Sequence, residues 1–487
     1  MDPLFLAIDI GTSSSRSALF DARGQRIEPS TAQKAYPLHT SSEGAATLQP
    51  AVLLRAVRQC IHATLAYRKS DKKLRDTPIL GIGTSCFWHS MVGTDANGSP
   101  LTEVLTWADS RCRLDAAHLR EELSEKAVHA RTGCMLRASF WPAKLHWLRR
   151  TSPKPFHRVK LWMSPAEWVQ LQLASGANCS FGMATGTGLL NPTSLQWDPE
   201  LLDLLCLSPD QLFPLNDDPS AASPKTAREF PELKNAAWFP AIGDGAASNL
   251  GSGCTKPGLA AINVGTSAAL RVMMTGRSAK APFGLFCYRV DKERFLIGGA
   301  VSNAGNLRAW GLENLQLPPA QELESLLSNR PSPGHGLTVL PFWTAERAPT
   351  WNEDLRGAIV GVSQATSSVD LFQAITEATY HRLGHIADIL REKQGSVDKY
   401  LVSGGIQRSA AALQRLANVM NVPVFPNPEP EASIRGAAVY AMEKVGQPVH
   451  PLPQTRPLRP QPKIAALYAE ERSRHIALEK MLSKARI

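Results

Sequence analysis

A seven-residue motif occurs twice in this chain. Residues 7–13 read AIDIGTS and residues 261–267 read AINVGTS. Each copy joins an apolar run through Gly-Thr-Ser to a second run with β character, at residues 16–21 and 268–274, which predicts a strand, a tight turn and a strand. The copies lie about half of the 487-residue chain apart, which is too far for a solenoid repeat. The repeat therefore indicates two related lobes.

The segments around the two copies alternate between strand-like and helix-like patterns. We expect strands at residues 79–84, 399–402 and 422–425, and helices at residues 51–67, 410–420 and 430–445, with Ser409 as a helix N-cap. This alternation is typical of a parallel-rich sheet with helices on its faces, and it predicts an α/β fold.

The lobe boundary is placed just before Gly243. This division gives an N-terminal lobe of residues 1–242 and a C-terminal lobe of residues 243–487. The Pro/Ser-rich stretches 217–225 and 316–335 are expected to be surface connections. Residues 455–487 carry a net charge of +5, half of the +10 of the whole chain, and are expected to form a solvated basic helix.

Composition and missing motifs exclude several classes of protein. The chain is 43% hydrophobic and 20% charged, which is ordinary globular composition and excludes a disordered or fibrous protein. We expect neither a signal peptide nor a membrane span, because no basic leader and no run of about 18 apolar residues occurs. Eight scattered cysteines without a CxxC pair are typical of reduced thiols and predict a cytoplasmic protein. Walker A, GxGxxG, GxSxG and HExxH motifs are absent.

The two Gly-Thr-Ser turns are candidate phosphate-binding loops. A tight turn after a strand exposes backbone N–H groups, glycine allows close approach, and Thr and Ser add hydroxyl donors. We assign this role to Gly11, Thr12, Ser13, Gly265 and Thr266. Asp9 precedes the first turn where Asn263 precedes the second, so one carboxylate is available to position Mg²⁺ through waters. The alternative is a pair of ordinary hairpins.

Asp244 stands in the small-residue segment GDGAASNLGSG, residues 243–253. Small neighbours leave room for a ligand beside the carboxylate, so Asp244 is a candidate acceptor for the proton of a substrate hydroxyl during phosphoryl transfer. The alternative is an aspartate that caps the N-terminus of a helix.

Aromatic and charged residues form a candidate polyol site. If residues 106–111 are extended, Trp107, Asp109 and Arg111 point to one face and offer an indole, an acceptor and a bidentate donor. Trp88 and His89 add aromatic and polar groups. The alternatives are a loop packed by its own Asp–Arg pair and a histidine with a structural role.

Gly404 and Gly405 follow the predicted strand 399–402. Glycines at this position let an adenine or ribose lie against the backbone. The alternative is a turn at the start of a helix.

Taken together, these residues resemble the FGGY family of carbohydrate kinases, within the actin/hexokinase superfamily. The resemblance extends from Ile8 to about Gly446. It rests on motifs in a fixed order: DIGTS (9–13), TWADSR (106–111), TGTGL (185–189), GDGA (243–246), GTS (265–267), ERAP (346–349), GG (404–405), and EAS (431–433) with GA (436–437).

The resemblance implies two RNase H-like (actin/hexokinase-type) lobes, with ATP and sugar in the cleft between them. It implies that Asp244 is the catalytic base and that Asp9 serves Mg²⁺. The phosphates would face Thr12, Ser13, Gly265 and Thr266, adenosine would face Gly404 and Gly405, and the sugar would face Trp88, His89, Trp107, Asp109 and Arg111.

Within the family, the chain looks most like the gluconate kinase branch. A substrate carboxylate would give Arg111 a partner. The chain departs from the pentulose kinases, which typically carry Gln-Met-His where it has Phe87-Trp88-His89. Ala345 stands where glycine commonly precedes Glu-Arg-Ala-Pro, and Thr47-Leu48 where an acidic residue is common.

The expected function is ATP-dependent phosphorylation of a small sugar acid, sugar or polyol, with gluconate as the first choice. The alternatives are a pentulose or other polyol kinase of the same family and a non-catalytic sugar or nucleotide sensor. A chaperone-type ATPase is disfavoured, because only about forty residues follow Gly446. We expect no nucleic-acid partner and no membrane partner, and we leave homodimerisation open.

Overall fold

The computed structural model describes residues 2–485 and contains two six-stranded sheets with helices on their faces. The strands up to Gly243 are β1 (Leu4–Ile10), β2 (Ser14–Phe20), β3 (Ala32–Ala35), β4 (His39–Thr40), β5 (Ala46–Leu48), β6 (Ile79–Cys86), β7 (Val92–Thr94), β8 (Val104–Leu105), β9 (Leu161–Met163), β10 (Leu190–Asn191), β11 (Gln196–Trp197), β12 (Ala237–Trp238) and β13 (Ile242–Gly243). The helices of this part are α1 (Pro50–Ser70), α2 (Arg113–Glu122), α3 (Glu125–Thr132), α4 (Trp141–Thr151), α5 (Pro153–Arg158), α6 (Pro165–Leu173), α7 (Phe181–Gly186), α8 (Pro199–Leu205) and α9 (Pro224–Glu229).

The remaining elements form the second sheet and its surroundings. The helices are α10 (Asp244–Gly251), α11 (Gly305–Asn314), α12 (Ala320–Asn329), α13 (Ser368–Gln394), α14 (Ala410–Met420), α15 (Ala432–Lys444) and α16 (Pro462–Ala485). The strands are β14 (Leu259–Val264), β15 (Ala268–Thr275), β16 (Phe286–Arg289), β17 (Arg294–Val301), β18 (Thr338–Leu340), β19 (Ala358–Val360), β20 (Lys399–Gly404) and β21 (Val424–Pro426).

The two sheets share a core of five strands with the same order and directions. The first has the order β12-β6-β1-β2-β3 with β13 beside β6, and the second has the order β16-β17-β15-β14-β20-β21. In each, the repeated motif forms an antiparallel hairpin, β1–β2 or β14–β15, whose first strand pairs in parallel with β6 or β20. The predicted strand–turn–strand repeat and the two related α/β lobes are confirmed.

Most predicted elements appear close to their expected bounds. The predicted helix 410–420 is α14, and Ser409 caps it by accepting a 3.1 Å hydrogen bond from the Ala412 N–H. The expectation that residues 316–335 only connect surface elements is wrong. This stretch contains α12, which buries Leu323 and Leu327. These leucines have helical i,i+4 spacing, which the flanking prolines obscure.

Helix α15 joins the two halves of the molecule. It packs on β1 and β6 of the first sheet and on α10, which leads into the second. Glycines allow the backbones to touch, since a Cβ at Gly83 would lie 1.9 Å from the Ala437 carbonyl oxygen and one at Gly436 would lie 1.7 Å from that of Ala247. The first sheet ends at Gly243 and the second begins at Leu259, and we retain the division before Gly243 as a proposal.

Helix α16 forms the C-terminal tail. It buries Tyr468, Glu471, His475 and Glu479 and packs against α13, α14 and β18. The tail is helical as expected, but the expectation of a fully solvated helix is wrong, because one of its faces is part of the protein interior. Across residues 2–485, no helix combines the length and the apolar character needed to cross a membrane.

Candidate active site

A cavity of about 210 Å³ lies between the two lobes. This volume is below the ~300–1,000 Å³ of typical pockets for drug-sized ligands, so it suits a small molecule. Side chains from both halves line it: Thr12, Phe87, Trp88, His89, Trp107, Ser139, Phe140, Asp244, Ser267, Ala268, Ala269, Arg271, Phe286, Tyr288, Ala300, Arg347 and Trp351. We call it the substrate cavity.

A larger cavity of about 690 Å³ opens in the second lobe. Its wall contains Gly265 and Thr266 of the second loop and Gly405 after β20, together with residues of α11, α13 and α14. Because Ser267 lines the substrate cavity, the second Gly-Thr-Ser loop borders both cavities. A phosphate chain in the larger cavity would therefore have a route to the smaller one.

Two backbone N–H groups in each loop are free to bind an anion. Among residues 2–485, the N–H groups of Thr12, Ser13, Thr266 and Ser267 have no hydrogen-bond acceptor. Consecutive unpaired N–H groups in a turn form an anion-binding concavity. In the second loop the carbonyls are already used, since the first N–H groups of α11 donate to the Gly265 and Thr266 oxygens at 2.9 and 3.1 Å.

The first loop contacts the substrate cavity through one residue. Thr12 lines the cavity, and its hydroxyl accepts a 3.0 Å hydrogen bond from the indole N–H of Trp107. Gly11 and Ser13 line neither cavity. The Gly11 carbonyl accepts a hydrogen bond from the hydroxyl of Tyr36, which holds the turn against the residue that follows β3.

Asp244 is the first residue of α10, directly after the strand β13. Gly243 is the N-cap, so Asp244 does not have the capping role that was its alternative. The side chain of Asp244 is accessible from the substrate cavity. The cavity itself is enclosed by protein, so the carboxyl is still largely shielded from bulk solvent. Burial raises the pKa of the Asp244 carboxyl, and the positive charge of Arg271 opposes this rise. A carboxylate in this position can accept a proton from a bound hydroxyl.

Two arginines, Arg271 and Arg347, face the same cavity, and no role was predicted for either of them. Arg347 is anchored by hydrogen bonds to the Ser302 hydroxyl (3.2 Å) and the Val301 carbonyl (3.1 Å). Arg271 makes no hydrogen bond and no ion pair with any residue of the described chain, and its Nε is buried. Ser267, Ala269 and Arg271 are alternate residues of the extended chain around β15, and all three line the cavity. Because alternate residues of a strand share a face, the position of Arg271 could have been predicted from that of Ser267.

Trp88 and His89 form one wall of the substrate cavity. The Trp88 indole N–H donates to the Gly182 carbonyl at 3.0 Å, and its ring fills a notch where a Cβ at Gly243 would lie 1.8 Å from the ring atom Cε2. The Nδ1 of His89 lies 2.5 Å from the Gly186 carbonyl oxygen. A carbonyl can only accept, so Nδ1 carries the proton and Nε2 is an acceptor. Burial lowers the pKa of His89 to about 3, so the ring is neutral.

Asp109 and Arg111 lie outside the substrate cavity. The expectation of an extended segment is wrong, because residues 106–109 form a turn closed by a 3.1 Å hydrogen bond from the Asp109 N–H to the Thr106 carbonyl. The Arg111 guanidinium donates to both oxygens of the buried Asp109 at 3.0 and 2.6 Å and lies over the Trp147 ring. This pair packs the loop that carries Trp107, so Arg111 already has the partner that a substrate carboxylate was expected to supply.

Asp9 and Gly404 lie beside the cavities without lining them. The Oδ2 atom of Asp9 accepts from the Ser433 hydroxyl at 3.2 Å and pairs with Arg16 at 3.3 Å. Its Oδ1 has no hydrogen-bond partner among residues 2–485, so one carboxylate oxygen is available to a hydrated cation. Gly404 has a φ of 94°, and a Cβ there would lie 2.3 Å from the Val264 carbonyl oxygen. A side chain would therefore be strained at Gly404, where the end of β20 comes close to the end of β14.

A second set of residues has the composition of a metal site. His335, Glu377 and Glu471 bring ligand atoms within 4.8 Å of one another. The Nδ1 of His335, however, accepts a 3.0 Å hydrogen bond from the Leu337 N–H, so its Nε2 carries the proton and donates to Glu377. Arg415 also lies 2.9 Å from Glu377. These contacts describe an ion-pair network rather than a set of free metal ligands.

Comparisons with known proteins agree with this geometry. Residues 4–226 match the N-terminal domain of the FGGY family of carbohydrate kinases, and residues 260–444 match its C-terminal domain. Gluconokinase of Bacillus subtilis is 28% identical over 463 residues, which cover 92% of this chain and 88% of that protein. Glycerol kinase of a Polaromonas species is 29% identical over 458 residues, covering 90% and 89%.

The crystal structure of gluconate kinase from Lactobacillus acidophilus superposes with a TM-score of 0.92 at 24% identity, covering 99% of this chain and 98% of the other. This match confirms the predicted actin/hexokinase-type fold. Kinases of this family use ATP as the phosphate donor, generally with Mg²⁺. The chain belongs to the FGGY family of carbohydrate kinases, phosphotransferases that act on an alcohol group.

Proposed function

We propose that this protein transfers the γ-phosphoryl group of ATP to a hydroxyl of a small sugar acid, with gluconate as the first choice. The observation that carries the proposal is Arg271, a guanidinium in the substrate cavity that makes no hydrogen bond and no direct ion pair with residues 2–485 and has only the charge of Asp244 in its surroundings. A largely desolvated guanidinium without a hydrogen-bonded acceptor is costly, and a carboxylate on the substrate would supply that acceptor. A neutral polyol would leave Arg271 unpaired.

Arg347 supports the same substrate class. Its guanidinium shares the cavity with Arg271 and lies 5.7 Å from the centre of the Trp107 ring. Gluconokinase and gluconate kinase are among the similar proteins, but the identities to gluconokinase and glycerol kinase, 28% and 29%, do not discriminate between their substrates. The choice of a sugar acid therefore depends on the two arginines.

Asp244 acts as the base in the proposed reaction. It orients the acceptor hydroxyl and takes its proton as the oxygen attacks the γ-phosphorus. The unpaired N–H groups of the loops at residues 11–13 and 265–267 hold the phosphates and stabilise their charge. Asp9, through its free Oδ1, would hold Mg²⁺, which when bound neutralises charge on the β- and γ-phosphates. Gly404 and Gly405 would border adenosine, and Gly405 lines the larger cavity.

Trp88, His89 and Trp107 would shape the cavity around the carbon chain of the acceptor. His89 offers a neutral acceptor nitrogen for a substrate hydroxyl. The Trp88 N–H is already used by a backbone carbonyl, so Trp88 limits space rather than donating to the substrate. Asp109 and Arg111 are left out of this proposed set.

A substrate panel tests the proposal. ADP release with Mg²⁺ and ATP is measured for gluconate, other aldonates, xylulose and glycerol. We expect the aldonates to have the highest kcat/KM and the Arg271→Gln variant to lose this preference. Higher kcat/KM for a neutral polyol would identify a polyol kinase, and ligand binding without ADP release for every compound would identify a sensor.

A further inference from the structure

The C-terminal helix α16 contacts the segment that carries Arg347 into the substrate cavity. Glu479 of α16 is buried, and its two carboxylate oxygens accept hydrogen bonds from Arg382 of α13 and from the hydroxyl of Thr350. Thr350 lies three residues after Arg347. The helix lies beyond residue 444, where the match to the family model ends.

Arg382 connects Glu479 to residues on both sides of Arg347. Its Nη2 donates to the Ala348 carbonyl and to the Thr350 hydroxyl, each at 3.2 Å. Its Nε lies 3.9 Å from Glu346, whose Oε1 accepts the N–H of Arg347 at 2.7 Å. One buried guanidinium therefore fixes the residues before and after Arg347.

The C-terminal end of α16 also contacts the residues that follow Thr350. Ser483 accepts a 3.0 Å hydrogen bond from the side-chain amide of Asn352, and Leu478 and Leu482 pack on the cluster that contains Leu355. Residues 346–355 thus lie between the substrate cavity, which Arg347 and Trp351 line, and α16.

We propose that α16 is a positioning element for substrate binding, with Glu479 as its positioning residue. Glu479 holds Arg382, which holds Ala348 and Thr350 so that the Arg347 guanidinium points into the cavity. This proposal rests on the proposed function in one respect, because it takes the cavity that Arg347 lines to be the binding site of the acceptor substrate. Glu479 itself does not touch the cavity.

Two measurements on the 487-residue chain test the proposal. The Glu479→Gln variant removes one negative charge with little change of shape, and Thr350→Val removes a hydroxyl that both Glu479 and Arg382 bind. We expect hydrogen exchange of the amides in residues 346–355 to become faster in both variants. We also expect the KM of the acceptor substrate to rise by about tenfold, as when a hydrogen bond to a charged group is lost, while the KM of ATP stays unchanged.

Glu470→Gln is the matched control, since Glu470 lies on the exposed face of the same helix and makes no ion pair in the described chain. Unchanged exchange of residues 346–355 in both variants would overturn the proposal. So would equal increases in the KM of ATP and of the acceptor, which indicate a general loss of structure. If Glu479→Gln does not fold, Thr350→Val decides. The exchange measurement needs no substrate, so it stands even if gluconate is not the acceptor.

Discussion

The indole N–H of Trp107 donates a 3.0 Å hydrogen bond to the hydroxyl of Thr12. Thr12 belongs to the first Gly-Thr-Ser loop and Trp107 to the turn after β8, so this bond connects the proposed phosphate-binding loop to the proposed acceptor site. Both residues line the substrate cavity. A change in the position of one is therefore transmitted directly to the other.

Replacing Trp107 by phenylalanine keeps an aromatic ring and removes the N–H. We expect kcat/KM for the acceptor to fall by roughly fivefold, since a neutral hydrogen bond contributes about 1 kcal/mol. Thr12→Val is expected to produce a similar loss, and the double variant little more than either single variant. Additive losses in this double-mutant cycle would contradict a direct coupling between the two side chains.

Asp244→Asn removes the proposed base and keeps the shape of the side chain. We expect kcat to fall by ~10²–10⁴-fold, the usual contribution of a positioned base, with the KM of ATP nearly unchanged. Steady-state kinetics with varied ATP and acceptor measure both quantities. Asp203→Asn, on the exposed side of α8, is the matched control. Near-normal turnover of Asp244→Asn would eliminate the assignment of the base.

The pH profile follows from the surroundings of Asp244. Burial raises the pKa of this carboxyl above the ordinary aspartate value of 3.8, and only the ionised form accepts a proton. We expect kcat/KM to fall as the pH drops through the raised pKa. Since the charge of Arg271 lowers the pKa of Asp244, Arg271→Gln should move this acid limb to higher pH. An unshifted limb in that variant would argue against electrostatic contact between the two residues.

Arg271→Gln also tests the recognition of a carboxylate. We expect the KM of gluconate to rise by about 10–100-fold, because a hydrogen bond to a charged group contributes about 1.5–3 kcal/mol. The KM of ATP should not change. Arg277→Gln, at an exposed position just after β15, controls for the loss of one positive charge. Equal effects of the two variants would indicate a long-range charge effect instead of a direct contact.

Gly243→Ala tests the packing of Trp88 beside Asp244, the proposed base. The new Cβ would lie 1.8 Å from the Trp88 ring, so the ring has to shift. We expect a loss of stability of about 1–3 kcal/mol, as for other overpacked sites, and a higher KM for the acceptor. Thermal unfolding and kinetics measure the two effects. Gly176→Ala meets no atom within 4 Å and is expected to be neutral.

The fold was predictable because its strongest signal is local and repeated. Each Gly-Thr-Ser motif follows an apolar run, and such a run next to a turn forms a strand in either lobe. Asp244 was predictable for a similar reason, since the surrounding small residues mark a place where a ligand can approach. Both inferences depend only on neighbours in the sequence.

The partners of Arg111 and Arg271 could not be predicted from the sequence, because they depend on how the folded chain arranges these side chains. The motif containing Asp109 and Arg111 suggested a ligand site, but in three dimensions the two side chains satisfy each other. Arg271 appeared as one charge in an apolar strand. Its place in the substrate cavity becomes visible only in the folded chain, where β15 of the second sheet and the start of α10, which carries Asp244, line the same cavity.

Helix α15 makes the completion of the N-terminal half depend on the synthesis of residues 432–444. Residues 432–444 cover part of β1 and β6, which leave the ribosome long before α15. Until α15 follows, that part of the early sheet stays in contact with water, and exposed apolar strands of this kind favour association between chains. A nascent chain that stalls before residue 432 therefore presents an unfinished surface that cellular chaperones can bind.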